Sequence, residues 1–251
     1  MSTSMWKEIE KNDLIGKLKP LFMNGRLYVD PEDNKIRRVK QVMHVNNPWI
    51  FIQQPDWINC GLWHQIYFDQ LKIIHSACFS CFKVVVTPKT VKELFQLYDI
   101  MLSLDLPSKC GAELRPYVDR LYGGYFYCKD LDNGRQIYDL VKPIVQREIR
   151  EDIDIILKRG CTEFEQLHGD SSKYEQTEHD SNLERILDEN SDIPIQVMTQ
   201  PEIVKNHVKR MWLAWAYKNK DWTCLEFNDG EDLDDNKPQK PTTYHEPIKD
   251  Q

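Results

Sequence analysis

No stretch of this chain approaches the ~18 uninterrupted apolar residues that a membrane-spanning helix needs, so no membrane span is expected. The opening residues, MSTSMWKEIEKNDL, lack the apolar core of a secretory leader, and a cytoplasmic location is the expectation. Also missing are a Gly-rich phosphate loop, a Gly-x-Ser-x-Gly elbow, a His-Glu-x-x-His pair and an EF-hand loop. The common hydrolase, zincin and calcium-sensor signatures are therefore absent, and there is no internal repeat. A second Cys-x-x-Cys or a His-x₃₋₅-His, which would make a strong zinc signature, is missing too.

What is present suits a globular protein. The 251 residues are 41% hydrophobic and 29% charged, enough apolar material for a sizeable core. The net charge of −7 divides unevenly, with +4 over residues 1–150 and −11 over the remainder. An acidic second half argues against non-specific nucleic-acid binding by the whole chain. The first half keeps a basic run at Arg37, Arg38 and Lys40, where a nucleic-acid partner is conceivable.

Seven cysteines, an odd number without an export signal, argue against a disulfide framework. Metal binding, catalysis and plain burial remain as their uses.

Hydrophobic periodicity gives the element order. MWKEIEKNDLIGKLKPLF reads as a helix with Trp6, Ile9, Leu14 and Leu18 on one side, ended by Pro20. RLYVDPEDNKIRRVKQVMHV reads as a hairpin about the turn residues 30–34. Residues 49–52 form a strand, and residues 57–76 a helix or compact loop with a helical turn.

The run CFKVVVTP is a buried strand. A helix follows, started by the capping pair Thr90 and Glu93, with Val91, Leu94, Phe95, Tyr98, Met101 and Leu102 as its apolar face. KCGAELRPYV and DRLYGGYFYCKD are the second and third strands. A helix capped by Asp132 or Asn133, and kinked or broken early at Pro143, comes next, then a strand at 153–157. The order β-α-β-β-α-β over about 80–160 is the split βαβ, or ferredoxin-like, arrangement. It has a four-stranded antiparallel sheet with both helices on one face.

The expected class is therefore α+β. A main domain covers 1–165, and an acidic linker or mobile loop covers 166–195 with one short helix near Leu183–Leu187. A Trp-rich element at 196–228 packs on the main domain as a helix and a strand, and a disordered acidic tail covers 229–251.

Cys78 and Cys81 form the leading candidate site, because two thiolates three residues apart can turn both sulfurs toward one ion. Zinc needs two further ligands, sought among Cys60, His64 and Cys110, with His75 also near in sequence. An iron–sulfur cluster is the alternative, since Cys60, Cys78, Cys81 and Cys110 supply four thiols. Their spacing, with 17, 2 and 28 residues between them, matches no familiar pattern. A redox dithiol is disfavoured because the pair precedes a strand instead of opening a helix.

Cys161 is the candidate nucleophile. Arg159 would lower its pKa, and His168 is its nearest histidine in sequence. The aromatics of LYGGYFYC could stack bases on a sheet, although the RNA-binding register does not match. Trp212, Trp215 and Trp222 could anchor a partner or simply pack. The expected function is a metal-stabilised binding or regulatory module for a protein or nucleic-acid partner, with an enzyme using a bound metal or Cys161 as the alternative.

Overall fold

The structure, a computed structural model, describes residues 13–39, 47–195, 197 and 199–230. Trp6, Ile9, Lys40, the far end of the expected hairpin and the expected tail from residue 231 lie outside the described residues.

Helix α1 (Leu14–Met23) runs through Pro20 instead of ending there, which forfeits one backbone donor but keeps Leu14, Leu18 and Leu21 on one buried face. The hairpin is a sheet of its own, β1 (Leu27–Val29) against β2 (Ile36–Arg38). Its turn is held by Asp30 and Asp33 side chains accepting from Glu32 N–H and Lys35 N–H. Asn34 takes the left-handed conformation there, with φ 58°.

The ambiguous stretch after β3 (Trp49–Gln53) resolves into a single α-turn, α2 (Cys60–Trp63), that widens into a π-helix at His64–Leu71. A 3₁₀ turn, Ser76–Ser80, then delivers the chain to β4 (Phe82–Thr87). Next come α3 (Val91–Leu104), β5 (Ser108–Ala112), β6 (Tyr122–Cys128), α4 (Leu131–Glu148) and β7 (Asp154–Arg159).

The main sheet is antiparallel throughout, in the order β3-β5-β6-β4-β7. It has five strands where four were expected, because residues 49–53 add β3 to the free edge of β5. Successive side chains alternate across it. Val84, Val86, Cys110, Ala112, Tyr122 and Phe126 face α3 and α4 and form the main core. Lys83, Lys109, Tyr125 and Tyr127 point the other way, toward the N-terminal elements.

Gly124 is no turn. It lies within β6, where a Cβ would stand 2.4 Å from Leu97 Cδ2 and 2.8 Å from Met101 Cε, so its missing side chain lets α3 settle onto the sheet. Gly124→Ala is expected to lower stability by about 1–3 kcal/mol by forcing those side chains off their rotamers. Urea unfolding measures it.

Thr90 caps α3 as expected, its Oγ1 accepting from Glu93 N–H at 3.2 Å, while Glu93 reaches back to Lys89 N–H at 2.7 Å. The cap of α4 is Asp130, not Asp132 or Asn133. Its carboxylate accepts from Asn133 N–H at 2.8 Å. That helix continues past Pro143 to Glu148.

Beyond the sheet, the acidic stretch 166–195 holds more structure than its composition suggests. Helix α5 (Thr162–His168) enters it, and α6 (Glu178–Asn190) starts on a capping box of Thr177 and Asp180. Leu183, Ile186 and Leu187 of α6 join α1 and the π-helix in a second core. Helix α7 (Glu202–Lys218) lies against α3 and the β3/β5 edge, with Trp212 fully buried.

The expected strand KDWTCLEF is a 3₁₀ helix, Trp222–Phe227. Asp221 explains this, since its carboxylate accepts from Thr223 N–H and Oγ1 and also from Tyr122 Oη and Val91 N–H. Those bonds fasten the turn to the start of α3 and leave no extended backbone for pairing.

Candidate metal centre

Three separate parts of the chain bring four thiols to one place. Cys78 lies in the 3₁₀ turn and Cys81 closes it, one residue before β4. His75 starts that turn by accepting Ala77 N–H on Nδ1 at 3.1 Å. Cys60 opens α2, across from Cys81.

Cys161 follows β7. In the β4–β7 ladder Phe82 pairs with Arg159, and Gly160 N–H donates to Cys81 O at 2.9 Å. Gly160 then turns with φ +67°, a conformation that suits glycine, and this sets Cys161 beside the Cys78–Cys81 turn. Cys60, Cys78, Cys81 and Cys161 line one small cavity, together with Trp63, His64, Gly160 and Phe164.

The electrostatics follow from burial. Burial pushes the Cys60 thiol up to about 12 and the Cys78 and Cys81 thiols up as well, so without a cation those three stay protonated. Cys161 differs. Burial works against its thiolate too, but the Lys83 ammonium, 3.0 Å from the sulfur, and His64 outweigh it and bring the thiol down to about 6.

Cys161, His64 and Glu163 are the one set of three donors among the described residues whose ligand atoms all lie within 4.8 Å of one another. No three of the four sulfurs are that close. A single tetrahedral zinc, at Zn–S of about 2.3 Å, would hold its sulfurs roughly 3.8 Å apart.

The other expected ligands separate clearly. Cys110 is fully buried on the opposite, helix-covered face of the sheet and cannot join the cavity. The alternation of strand side chains puts it there. His75 stacks on Trp63 at 4.7 Å and meets Tyr67 edge-on, and burial lowers its pKa, so it is a neutral packing residue.

Arg159 does not face Cys161. Its guanidinium donates to Phe79 O and Ser171 O, both at 2.8 Å, and so pins the thiol-bearing turn to the end of β7. His168 rests against Phe68 and Tyr174, and the histidine at Cys161 is His64, stacked on Phe164.

Lys83 was not legible as a site residue, since one lysine in a run of valines carries no motif. Its position two residues after Cys81, on the same strand face, was the available signal.

A larger pocket of about 490 Å³ opens over the helix-free face of the sheet. It shares the wall formed by Cys60, His64, Gly160 and Cys161 with the thiol cavity. Lys83, Lys109, Arg115, Lys158, Trp49, Tyr125 and Tyr127 also line it. Arg115 grips the buried Glu113 and reaches Glu163 at 2.5 Å. Among the Trp candidates, Trp212 is core, Trp215 is half-buried and Trp222 is exposed.

No protein-family model matches the chain, and no curated protein or solved structure is detectably similar to it.

Proposed function

We propose that this chain is an iron–sulfur protein. Cys60, Cys78, Cys81 and Cys161 would hold the cluster, and the cluster would fix a binding module to its sheet. One observation carries the reading: four cysteines from three distant chain segments line a single cavity. Free buried thiols need no such convergence, whereas a cluster needs four thiolates.

That no three of these sulfurs lie within 4.8 Å of one another favours a cluster over a single zinc. Lys83, donating to Cys161 Sγ, is the kind of hydrogen bond that tunes a metal-bound thiolate. The strand order β5-β6-β4-β7, with α3 and α4 on one face, supports reading residues 82–159 as a ferredoxin-like core widened by β3. In that order the entry of the first strand and the exit of the fourth are neighbours, which is where the cluster would sit.

A second reading has one observation in its favour. Cys161 with His64 and Glu163 within 4.8 Å resembles a nucleophile, a base and an orienting carboxylate at a pocket wall. Alkylation separates the two readings. In anaerobically isolated protein, the cluster reading expects Cys161 to be protected from iodoacetamide until iron is removed. The enzyme reading expects it to react faster than every other thiol from the start.

A further inference from the structure

The larger pocket is built for an anion, and this goes beyond the metal reading without depending on it. Lys109 sits in mid-sheet on β5, and its ammonium lies 4.7 Å from the Trp49 ring centre and 5.4 Å from those of Phe51 and Tyr125. Lys83, nine-tenths buried, reaches the same space. Among the described residues, neither lysine pairs with a carboxylate; Lys83 meets the Cys161 sulfur and the Tyr127 ring. Lys83 answers to the Cys161 thiolate, which leaves Lys109 as the half-buried ammonium on this wall without a counter-charge, and a cation so placed favours an outside anion.

Of the other charges in the lining, Arg26 adds positive charge at the rim, Lys158 is paired with Glu165, and Asp69 and Glu163 are the carboxylates. Glu163 is already taken by Arg115.

The lining also has shape. At about 490 Å³ the space falls within the ~300–1,000 Å³ of small-molecule sites and far exceeds a bare inorganic anion. Trp49, Tyr125 and Tyr127 give it an aromatic wall, on which a planar base stacks irrespective of its identity.

We propose that this pocket binds a nucleotide, its phosphate paired with Lys109 and Lys83 and its base laid against the Trp49 and tyrosine wall. Burial brings the Lys109 ammonium down to about 8 in the empty pocket. An anion favours the protonated form, so affinity should fall as the pH rises through that value.

The test is calorimetric titration of the purified protein with adenosine monophosphate, with a single-stranded oligothymidylate and with inorganic phosphate. The nucleotide is expected to bind at least about tenfold tighter than phosphate, and Lys109→Gln to weaken it about tenfold or more. Because Lys109 lies in mid-sheet, Arg26→Glu at the exposed rim serves as a second variant that leaves the core untouched and is also expected to weaken binding. Tighter binding of the oligonucleotide would identify the source as a single strand, and equal or weaker binding as the free nucleotide. Phosphate binding as well as the nucleotide, or both variants binding like the parent, overturns the proposal. Loss of nucleotide binding only on iron removal, with Lys109→Gln unaffected, would place the anion at the metal instead and overturn it too.

Discussion

Cys78→Ser is expected to lose most of its bound metal and to melt well below the parent protein, both in the same preparation. The two losses are linked because metal binding to a site absent from the unfolded chain is itself folding free energy. The cavity joins the 3₁₀ turn, the start of α2 and the end of β7, so a metal there would add to the bonds that hold the three together. Serine is close to cysteine in shape but removes the soft thiolate, and Cys78→Ala serves beside it to separate the cost of a buried hydroxyl from loss of the metal.

Loss of a structural metal belongs to the few single-site effects above ~4 kcal/mol. At roughly 2–4 °C per kcal/mol for a chain of this size, the melting temperature should drop by about 10 °C or more. Cys60→Ser and Cys161→Ser should behave alike. Cys110→Ala is the control. Cys110 is just as buried but lies under α3 and α7, so its replacement should leave the metal content unchanged. Metal loss in Cys110→Ala, or full retention in Cys78→Ser, would contradict the ligand set.

Trp212→Ala should produce the opposite pattern, a large loss of stability with the metal retained. Trp212 is fully buried and meets Phe95 and Tyr98 edge-on at 5.5 and 6.2 Å. Its Nε1–H donates to Pro48 O at 2.7 Å, and that bond joins α7 to the chain entering β3. Truncation opens a cavity and strands the Pro48 carbonyl. The usual cost for Trp or Phe to Ala is about 3–5 kcal/mol, or roughly 6–20 °C of melting temperature. The cavity lies across the sheet from the thiols, so iron content per folded molecule should not change. Thermal melts with iron analysis of the same samples measure both.

Much of this architecture can be read from the sequence, and the failures have physical causes. The β-α-β-β-α-β run was legible because CFKVVVTP, the Thr90–Glu93 cap and the apolar face of α4 each agree with the element they form. Strand β3 was visible as a strand but not as a sheet partner, since nothing local in WIFIQ names β5 as the neighbour it pairs with. Helix α6 is hard to read in the sequence because its buried face mixes Leu183, Ile186 and Leu187 with the polar Glu184 and Asn190.

The thiols are the instructive case. Cys78 and Cys81 announce themselves by spacing, whereas Cys161 stands far along the chain and reads as a separate feature. Sheet order supplies the link. When the fourth strand lies antiparallel beside the first, the residue after the one faces the residue before the other, as Gly160 N–H bonding Cys81 O shows. Cys110 looked closer in sequence, but strand alternation turns it to the far face.

The central claim is that the four thiols hold an iron–sulfur cluster. The most direct measurement is iron, acid-labile sulfide and zinc per chain in protein isolated without oxygen. Iron and sulfide are expected in equal amounts, with visible absorption that fades on exposure to air and no stoichiometric zinc. One zinc per chain without sulfide, or no metal in protein that folds normally, would contradict it.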